Sequence, residues 1–367
     1  MPVVSLITLI ISTMLWMCFL LPLLICSPSL ASEVKDYAAP RYNISLDLNA
    51  EQRWEHILQN YNITKIKTYI DIFFSMLEPN WTRPVLFSLA DVYLDFFAEE
   101  PYAGEIRGIA KAGNILTSEA VVLNLFYESM ACTSIIAEDP KGNIYHARNM
   151  DLFYSDLFKE ITIDVDFIRN GKVVYTGTTF VGFVGLYTGQ RPYKFTISAN
   201  ARENNMSLLK NIFSLIFSGS PVSWLIRNTL NEAPDYQSAV LQLSNTPIIA
   251  EMYLTVAGVN SGEGASITRD RRGVANVEHL NASYGTWFLL QNNHDTWLSP
   301  PSYDRRWYTA NQDLNATGQE NINTDTLYKV LSNHPVFNRG TVHTTKMSAA
   351  SPEVYVSIIR VLDKQGW

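Results

Sequence analysis

Cysteine is nearly absent from this chain: there are three in 367 residues, and Cys18 and Cys26 fall in its apolar first segment. Cys132 stands alone in the remainder, which excludes an internal disulfide framework or a cysteine-ligated zinc cluster there. The six histidines, His56, His146, His279, His294, His334 and His343, form no i, i+4 pair, so no metal is implied. There is no Gly-x-Ser-x-Gly elbow, Walker loop or dinucleotide fingerprint, and no cofactor is implied. Positive charge is also short. Lys and Arg number 28 against 35 Asp and Glu, giving a net charge of −7 and a pI near 5.4, which argues against nucleic acid as a partner. No internal repeat, low-complexity linker or long charge run interrupts the chain.

Residues 1–31 carry no charged side chain and run apolar from Val3 to Cys26 before the small-residue stretch Ser27-Pro28-Ser29-Leu30-Ala31. That pattern suits a signal peptide cut after Ala31. The missing basic n-region and a length near that of a spanning helix leave an uncleaved anchor as the alternative. Six Asn-x-Ser/Thr sequons, at Asn43, Asn62, Asn80, Asn205, Asn281 and Asn315, fit a glycosylated lumenal body, although an Asn-rich chain produces several by chance. A lysosomal or secreted protein is expected.

The composition, 47% hydrophobic and 17% charged, supports a sizeable core. From Glu51 to Ala131 the chain reads as helical. Ile66, Tyr69, Ile70, Phe73, Phe74 and Leu77 recur at helical spacing, as do Leu86, Leu89, Tyr93, Phe96 and Phe97 after a Glu78-Pro79-Asn80-Trp81 break, and a third helix fits Ser118 to Glu128. Core packing is the ordinary meaning of such stripes; transient contact with a membrane surface is the sharper one, and Leu208, Leu209, Ile212, Phe213, Leu215, Ile216 and Phe217 could join it.

After Ala131 the pattern turns to strands at 132–138, 144–150, 161–168, 173–181 and 194–200, then helices at 207–217 and 222–244, then strands at 248–259, 264–269, 275–279 and 286–292. Strands, helices and strands again predict an α+β fold: two antiparallel sheets packed together and covered by helices.

The segment Asp139-Pro140-Lys141-Gly142-Asn143 is a hairpin signal. Centred on Lys141, it sets Cys132 opposite Met150 and brings Arg148 and Asp151 near the thiol. A cysteine that becomes a chain terminus carries its own base, the freed α-amine, and Asp151 could receive a hydrogen bond from that ammonium while Arg148 orients Asp151 or binds a substrate carbonyl. A lone cysteine is more often a buried structural residue, and an Arg/Asp pair at a strand end is common.

Several blocks in order carry a family resemblance over nearly the whole chain after the leader. They are Ala39 to Asp47, Gly104-Glu105-Ile106-Arg107-Gly108, Cys132 to Asp151, Thr176 to Gly182, Pro221 to Arg227, Asp304-Arg305-Arg306 and Thr341 to Pro352. Together these resemble the acid ceramidase and N-acylethanolamine acid amidase family, with the closing stretch nearer the amidase branch. The resemblance implies an αββα N-terminal-nucleophile hydrolase made as a precursor and cut between Ala131 and Cys132. A helical α subunit of about residues 32–131 would then form a heterodimer with a catalytic β subunit of 132–367. It also implies a lipid amide substrate and an acyl-thioester on Cys132. Position by position, Arg148 and Asp151 match the family's charged pair, Asn293 its oxyanion-binding asparagine, and Arg305 an arginine near the head-group end of the site.

Two departures stand out. Asn200-Ala201-Arg202 lacks the Glu of the family pattern unless Glu203 substitutes, and Tyr127-Glu128-Ser129-Met130-Ala131 is one residue shorter before the cleavage bond. Ceramide is the alternative substrate, and a lumenal lipid-binding relative without turnover is the alternative of another class. A free α-amine titrates at about 7.7–8.0, so work in an acidic lumen needs a special arrangement, for which a thiolate–ammonium pair favoured by Arg148 is one solution.

Overall fold

Asp139 forms the first hairpin by accepting at Oδ1 from the backbone N–H of Lys141 (2.8 Å) and Asn143 (2.9 Å), while Gly142 takes φ +85°, which only glycine adopts without strain. The structure is a computed structural model that describes residues 36–62, 82–126, 131–202 and 219–361, with 65, 67, 68 and 71 between. The leader, the Ile66 to Leu77 stripe, residues 127–130, Glu203, the Leu208 to Phe217 helix and the sequons at Asn80 and Asn205 lie outside the described residues.

Fourteen strands are present among the described residues: β1 (Tyr37–Ala38), β2 (Arg41–Ser45), β3 (Ala131–Glu138), β4 (Ile144–Asp151), β5 (Thr162–Arg169), β6 (Lys172–Phe180), β7 (Thr188–Arg191), β8 (Phe195–Ala201), β9 (Met252–Ala257), β10 (Gly264–Arg269), β11 (Val274–His279), β12 (Phe288–Gln291), β13 (Thr341–Met347) and β14 (Val356–Ile359). One sheet runs β1-β14-β13-β4-β3-β12 and the other β11-β10-β9-β8-β7-β6-β5-β2. All strand pairs are antiparallel, as expected, except the edge strand β2 with β5, which is parallel.

The two sheets pack face to face, and helices cover their outer faces. Val222–Glu232 and Tyr236–Asn245 lie on the eight-stranded sheet, and Arg306–Thr317 and Thr324–Val330 lie on the six-stranded one. Side-chain alternation explains the layering. Ile135, Ala137 and Ala147 point outward to Ala310, Leu314, Leu327 and Val330, whereas Ile136 meets Leu280 and Ala257 across the inter-sheet space. The result is the expected αββα order.

The single helix expected over 222–244 is two. Pro234 cannot donate the backbone hydrogen bond, and Asp235 caps the second helix by accepting from Ser238 N–H (2.8 Å). The Thr82–Phe96 helix buries Ala90, Tyr93 and Leu94 but leaves Leu89, Val92 and Phe96 exposed, so its stripe is only partly core. No helix among the described residues is long and apolar enough to cross a membrane. The sequons at Asn43, Asn62, Asn281 and Asn315 are exposed.

The segment before Cys132 is built into this sandwich. It supplies an edge strand to each sheet, β1 beside β14 and β2 beside β5. Its Tyr102–Gly113 helix carries Glu105, which is wholly buried and accepts from Arg227 Nη1 (2.5 Å) and Nη2 (2.7 Å), Trp54 Nε1 (2.7 Å) and Arg53 Nη1 (2.9 Å). Arg227 also stacks over Phe167, 4.5 Å from the ring centre. Gly108 lets the 50–52 turn sit on this helix, since a Cβ there would lie 2.0 Å from the Glu51 carbonyl oxygen. Burial alone would push the Glu105 carboxyl up, but Arg227 and its other donors hold it below the usual carboxylate range, so the pair stays ionised in mild acid.

Glu105→Gln would leave the Arg227 guanidinium buried without its counter-charge and should cost about 3–5 kcal/mol of stability in denaturant unfolding. A loss below about 1 kcal/mol would mean that the packing around the pair carries the stability instead. A second test concerns Asp164, buried between the sheets and accepting from Thr178 Oγ1 (2.8 Å) and Ser357 N–H (3.0 Å). Burial raises its carboxyl to about 6. The folded state then holds more protons than the unfolded chain between about pH 4 and pH 6, and stability from this group falls as pH rises through that window. Asp164→Asn should therefore gain on the wild type in thermal melts as pH goes from 4 to 6.5; parallel curves would refute this.

Candidate active site

The hairpin register pairs Cys132 with Met150 and Ser134 with Arg148, so Cys132, Met150 and Arg148 share the inner face, as the sequence predicted. Arg148 is fully buried. Its Nη2 donates to Cys132 Sγ (2.8 Å) and to the Ala199 carbonyl (2.8 Å), and its Nη1 donates to Thr188 Oγ1 (2.8 Å), so one guanidinium joins the thiol to β7 and β8 of the facing sheet.

Asp151 flanks the cysteine from the other side. Thr341 Oγ1 donates to its Oδ1 (2.7 Å), Asn338 Nδ2 to its Oδ2 (3.1 Å), and Arg306 Nη1 lies 3.4 Å from Oδ2. Arg148 makes no hydrogen bond to Asp151, whose carboxylate is held by Thr341, Asn338 and Arg306 instead; of the two expectations for Arg148, the one left is contact with a substrate carbonyl. Burial holds the Asp151 carboxyl above its ordinary range against the pull of Arg306 and the two hydrogen bonds.

The backbone N–H of Cys132 donates to Asn293 Oδ1 (2.9 Å). Arg306 Nη2 donates to the same oxygen (3.1 Å), and Asn293 Nδ2 donates to the Ala201 carbonyl (2.8 Å). With two donors at one end and a carbonyl at the other, the amide orientation is fixed by its neighbours. One side-chain N–H of Asn293 is thus donated to Ala201, and its oxygen holds the nitrogen of the Ala131–Cys132 bond.

Arg306 is the residue that sequence reasoning missed. It donates to the Cys132 carbonyl (3.2 Å) and is anchored by Asp304 through Nε (2.9 Å) and Nη2 (2.7 Å); Asp304 in turn meets His294 Nε2 at 2.9 Å. Arg305, singled out instead, is exposed. Both arginines line a cavity of about 690 Å³ with Tyr303, Asp304, Thr309, His334, Pro335 and Asn338. The Asp304-Arg305-Arg306 block was the signal; the helix that begins at Arg306 decides which arginine faces inward.

At the position of the absent Glu, Ala201 offers only its carbonyl to Asn293, while Arg202 binds Asp295 through Nε (2.8 Å) and Nη2 (2.9 Å). No group of three His, Cys, Asp or Glu that could hold a metal occurs among the described residues.

Cys132 is a free thiol with no exposed surface. Burial raises its pKa above the ordinary thiol value, and this outweighs the opposing pull of Arg148. A chain continuous through Cys132 therefore favours a protonated thiol next to the Arg148 guanidinium. Its Cys132 should alkylate with iodoacetamide far more slowly at neutral pH than a free cysteine, read as labelled fraction by intact mass. Labelling at the rate of free cysteine would mean an open or ionised thiol.

Known proteins are similar to this chain over most of its length. The family model described as linear amide C-N hydrolases, choloylglycine hydrolase family, matches residues 132–281. One described as the beta subunit of N-acylethanolamine-hydrolyzing acid amidase matches residues 37–98, within the segment expected as the α subunit. The N-acylethanolamine-hydrolyzing acid amidase of Cavia porcellus is 42% identical over 327 residues, 89% of this chain and 92% of that protein. The Mus musculus enzyme of that name is 41% identical over 342 residues, 93% and 94% of the two. Acid ceramidase of Homo sapiens is 34% identical over 328 residues, 84% and 83%. A solved structure, the Caenorhabditis elegans ortholog of N-acylethanolamine-hydrolyzing acid amidase, superposes with a TM-score of 0.59 at 38% identity, covering 63% of this chain and 100% of that one.

Proposed function

The chain belongs to the N-acylethanolamine-hydrolyzing acid amidase and acid ceramidase family of linear-amide hydrolases, and we propose that it hydrolyses fatty-acid ethanolamides through Cys132 after cutting itself before that residue. It is an amidohydrolase; the substrate, the cleavage and the thioester are our reading. The observation that carries it is the double hold on Cys132, with Arg148 Nη2 2.8 Å from its sulfur and Asn293 Oδ1 2.9 Å from its nitrogen. A match of the amide-hydrolase family that begins at residue 132 supports it further.

In the cleavage step Cys132 Sγ attacks the Ala131 carbonyl carbon, the C–N bond breaks, and the nitrogen leaves as an amine while the acyl group rests on sulfur. Water then releases the Ala131 carboxyl. In turnover the α-amine takes the thiol proton as the same sulfur attacks the substrate amide carbon, then delivers it to the departing ethanolamine, and water discharges the fatty acid and restores the thiol. Arg148 and Arg306 are positioned to stabilise negative charge on the tetrahedral species.

The 32–131 and 132–367 chains would stay together, held by the two edge strands and the buried Glu105–Arg227 pair. Closer identity to the amidases than to the ceramidases favours an ethanolamide over ceramide. The reading includes a lysosomal or secreted lumenal setting, supported by the relatives' designation as acid enzymes and by the exposed sequons.

The test is a reducing gel with N-terminal sequencing of the purified protein before and after acidic incubation, followed by assays on a fatty-acid ethanolamide and on ceramide. The wild type should yield a fragment beginning at Cys132 and release the fatty acid, and Cys132→Ala should stay whole, folded and inactive. A cut in Cys132→Ala would assign cleavage to an outside protease. A wild type that neither cuts nor turns over would be a lipid-binding relative without activity.

A further inference from the structure

Asn293 can hold Cys132 only if the backbone leading to it is held first. That backbone is tethered from the facing sheet by Asn200, whose Nδ2 donates to the Gln291 carbonyl (2.9 Å) and, at longer range, to the Asn292 carbonyl (3.3 Å). Two carbonyl acceptors fix this end of Asn200 as nitrogen, so its Oδ1 must accept. Ser134 Oγ lies 2.8 Å from that oxygen and must be its donor. With its one proton committed, Ser134 accepts from Ser198 Oγ at 2.9 Å. Ser198 has then spent its own proton and must accept from His146 Nε2, also at 2.9 Å. The other ring nitrogen, Nδ1, faces Thr196 Oγ1 at 2.8 Å and accepts there.

Every link from the histidine to the asparagine is fixed by the one before it, and His146, Thr196, Ser198, Ser134 and Asn200 have no exposed surface. The five residues sit at positions that register places on the inner faces: Ser134 on β3, His146 on β4, and Thr196, Ser198 and Asn200 on alternate sites of β8. An unidirectional chain of this kind polarises its members and stiffens the whole.

We infer that His146, Ser198, Ser134 and Asn200 form a one-way hydrogen-bond relay between the sheets that positions Asn293 at Cys132, with His146 as a neutral Nε2–H tautomer at its head. None of the four touches the reacting atoms, so they are positioning residues, and the inference rests on the proposed role of Asn293. Desolvation, with the nearby Arg148 charge adding to it, lowers the His146 pKa to about 3, which accords with a ring that stays neutral in an acidic lumen.

Two measurements test it. Ring 15N chemical shifts of histidine-labelled protein should show His146 as a single Nε2–H tautomer that does not titrate between pH 4.5 and 7.5; an Nδ1–H tautomer or a titrating ring overturns the relay. In kinetics, His146→Gln keeps an amide N–H that can reach Ser198, whereas His146→Leu has similar bulk and no donor. The Leu variant should lose about tenfold in kcat with KM unchanged, and the Gln variant should recover most of that loss. Equal losses in both variants, or a loss confined to KM, overturn the positioning role. If the wild type fails to turn over an ethanolamide, the functional reading falls, and the relay is then judged by the tautomer alone.

Discussion

The burial of Arg148 governs the site. A guanidinium with no exposed surface and no salt bridge to any described residue would cost several kcal/mol if its protons were unmet. Here it spans the gap between the sheets, donating through its two terminal nitrogens to Thr188 and Ala199 of one and to the Cys132 sulfur of the other, while its Nε has no partner among the described residues. Any shift of β3 by one residue would turn Cys132 to the outer face and leave that cation without its third partner. The register of the hairpin and the spacing of the sheets are therefore tied to the same contact that favours negative charge on the thiol.

The segment before Cys132 is bound by comparable constraints. An edge strand left unpaired exposes its backbone groups, and this segment closes one edge of each sheet through β1 and β2. Asn124 adds a further tie, donating to the Gly182 carbonyl (3.0 Å) and accepting from the Val184 N–H (2.8 Å). Together with the Glu105–Arg227 pair these contacts do not depend on chain continuity at residue 131. A cut at that bond would change the covalent structure next to the thiol while leaving its frame in place.

The hairpin was legible because its information is local: the turn chemistry of Asp139 and Gly142 sets a register, and the register sets Cys132 against Met150 and beside Arg148. Strand boundaries on either side, such as Gly264–Arg269, followed from alternation. Arg306 was not legible by that route, since it reaches Cys132 from a helix on the outer layer, and no spacing rule distinguishes it from Arg305. The strands β13 and β14 and the relay escaped for a different reason. Segments such as Thr341–Met347 and Phe195–Ala201 carry Thr, Ser, His and Asn at positions that sequence pattern reads as solvent-facing, yet they are buried. Their polar groups satisfy one another across the inter-sheet space, a circumstance visible only once the sheets are packed. Family resemblance located Asn293 and the Asp304 to Arg306 block, but which atom of Asn293 faces Cys132 came from the geometry.

The acid-side difficulty of a terminal amine as base also looks different in this setting. With the chain continuous through residue 132, burial outweighs Arg148 and favours the protonated thiol. Cleavage would free an amine where Asn293 Oδ1 now accepts the Cys132 N–H, close to the Arg306 guanidinium, which contacts both that oxygen and the Cys132 carbonyl. Burial and the neighbouring guanidinium groups would disfavour an ammonium there, whereas the Asn293 Oδ1 acceptor would favour it. Asp151 also favours the ammonium, its own carboxyl held above the usual range by burial. Arg148 and Arg306 would thus act twice on the proposed reaction, disfavouring protonation of the freed amine and stabilising negative charge developing on a bound amide.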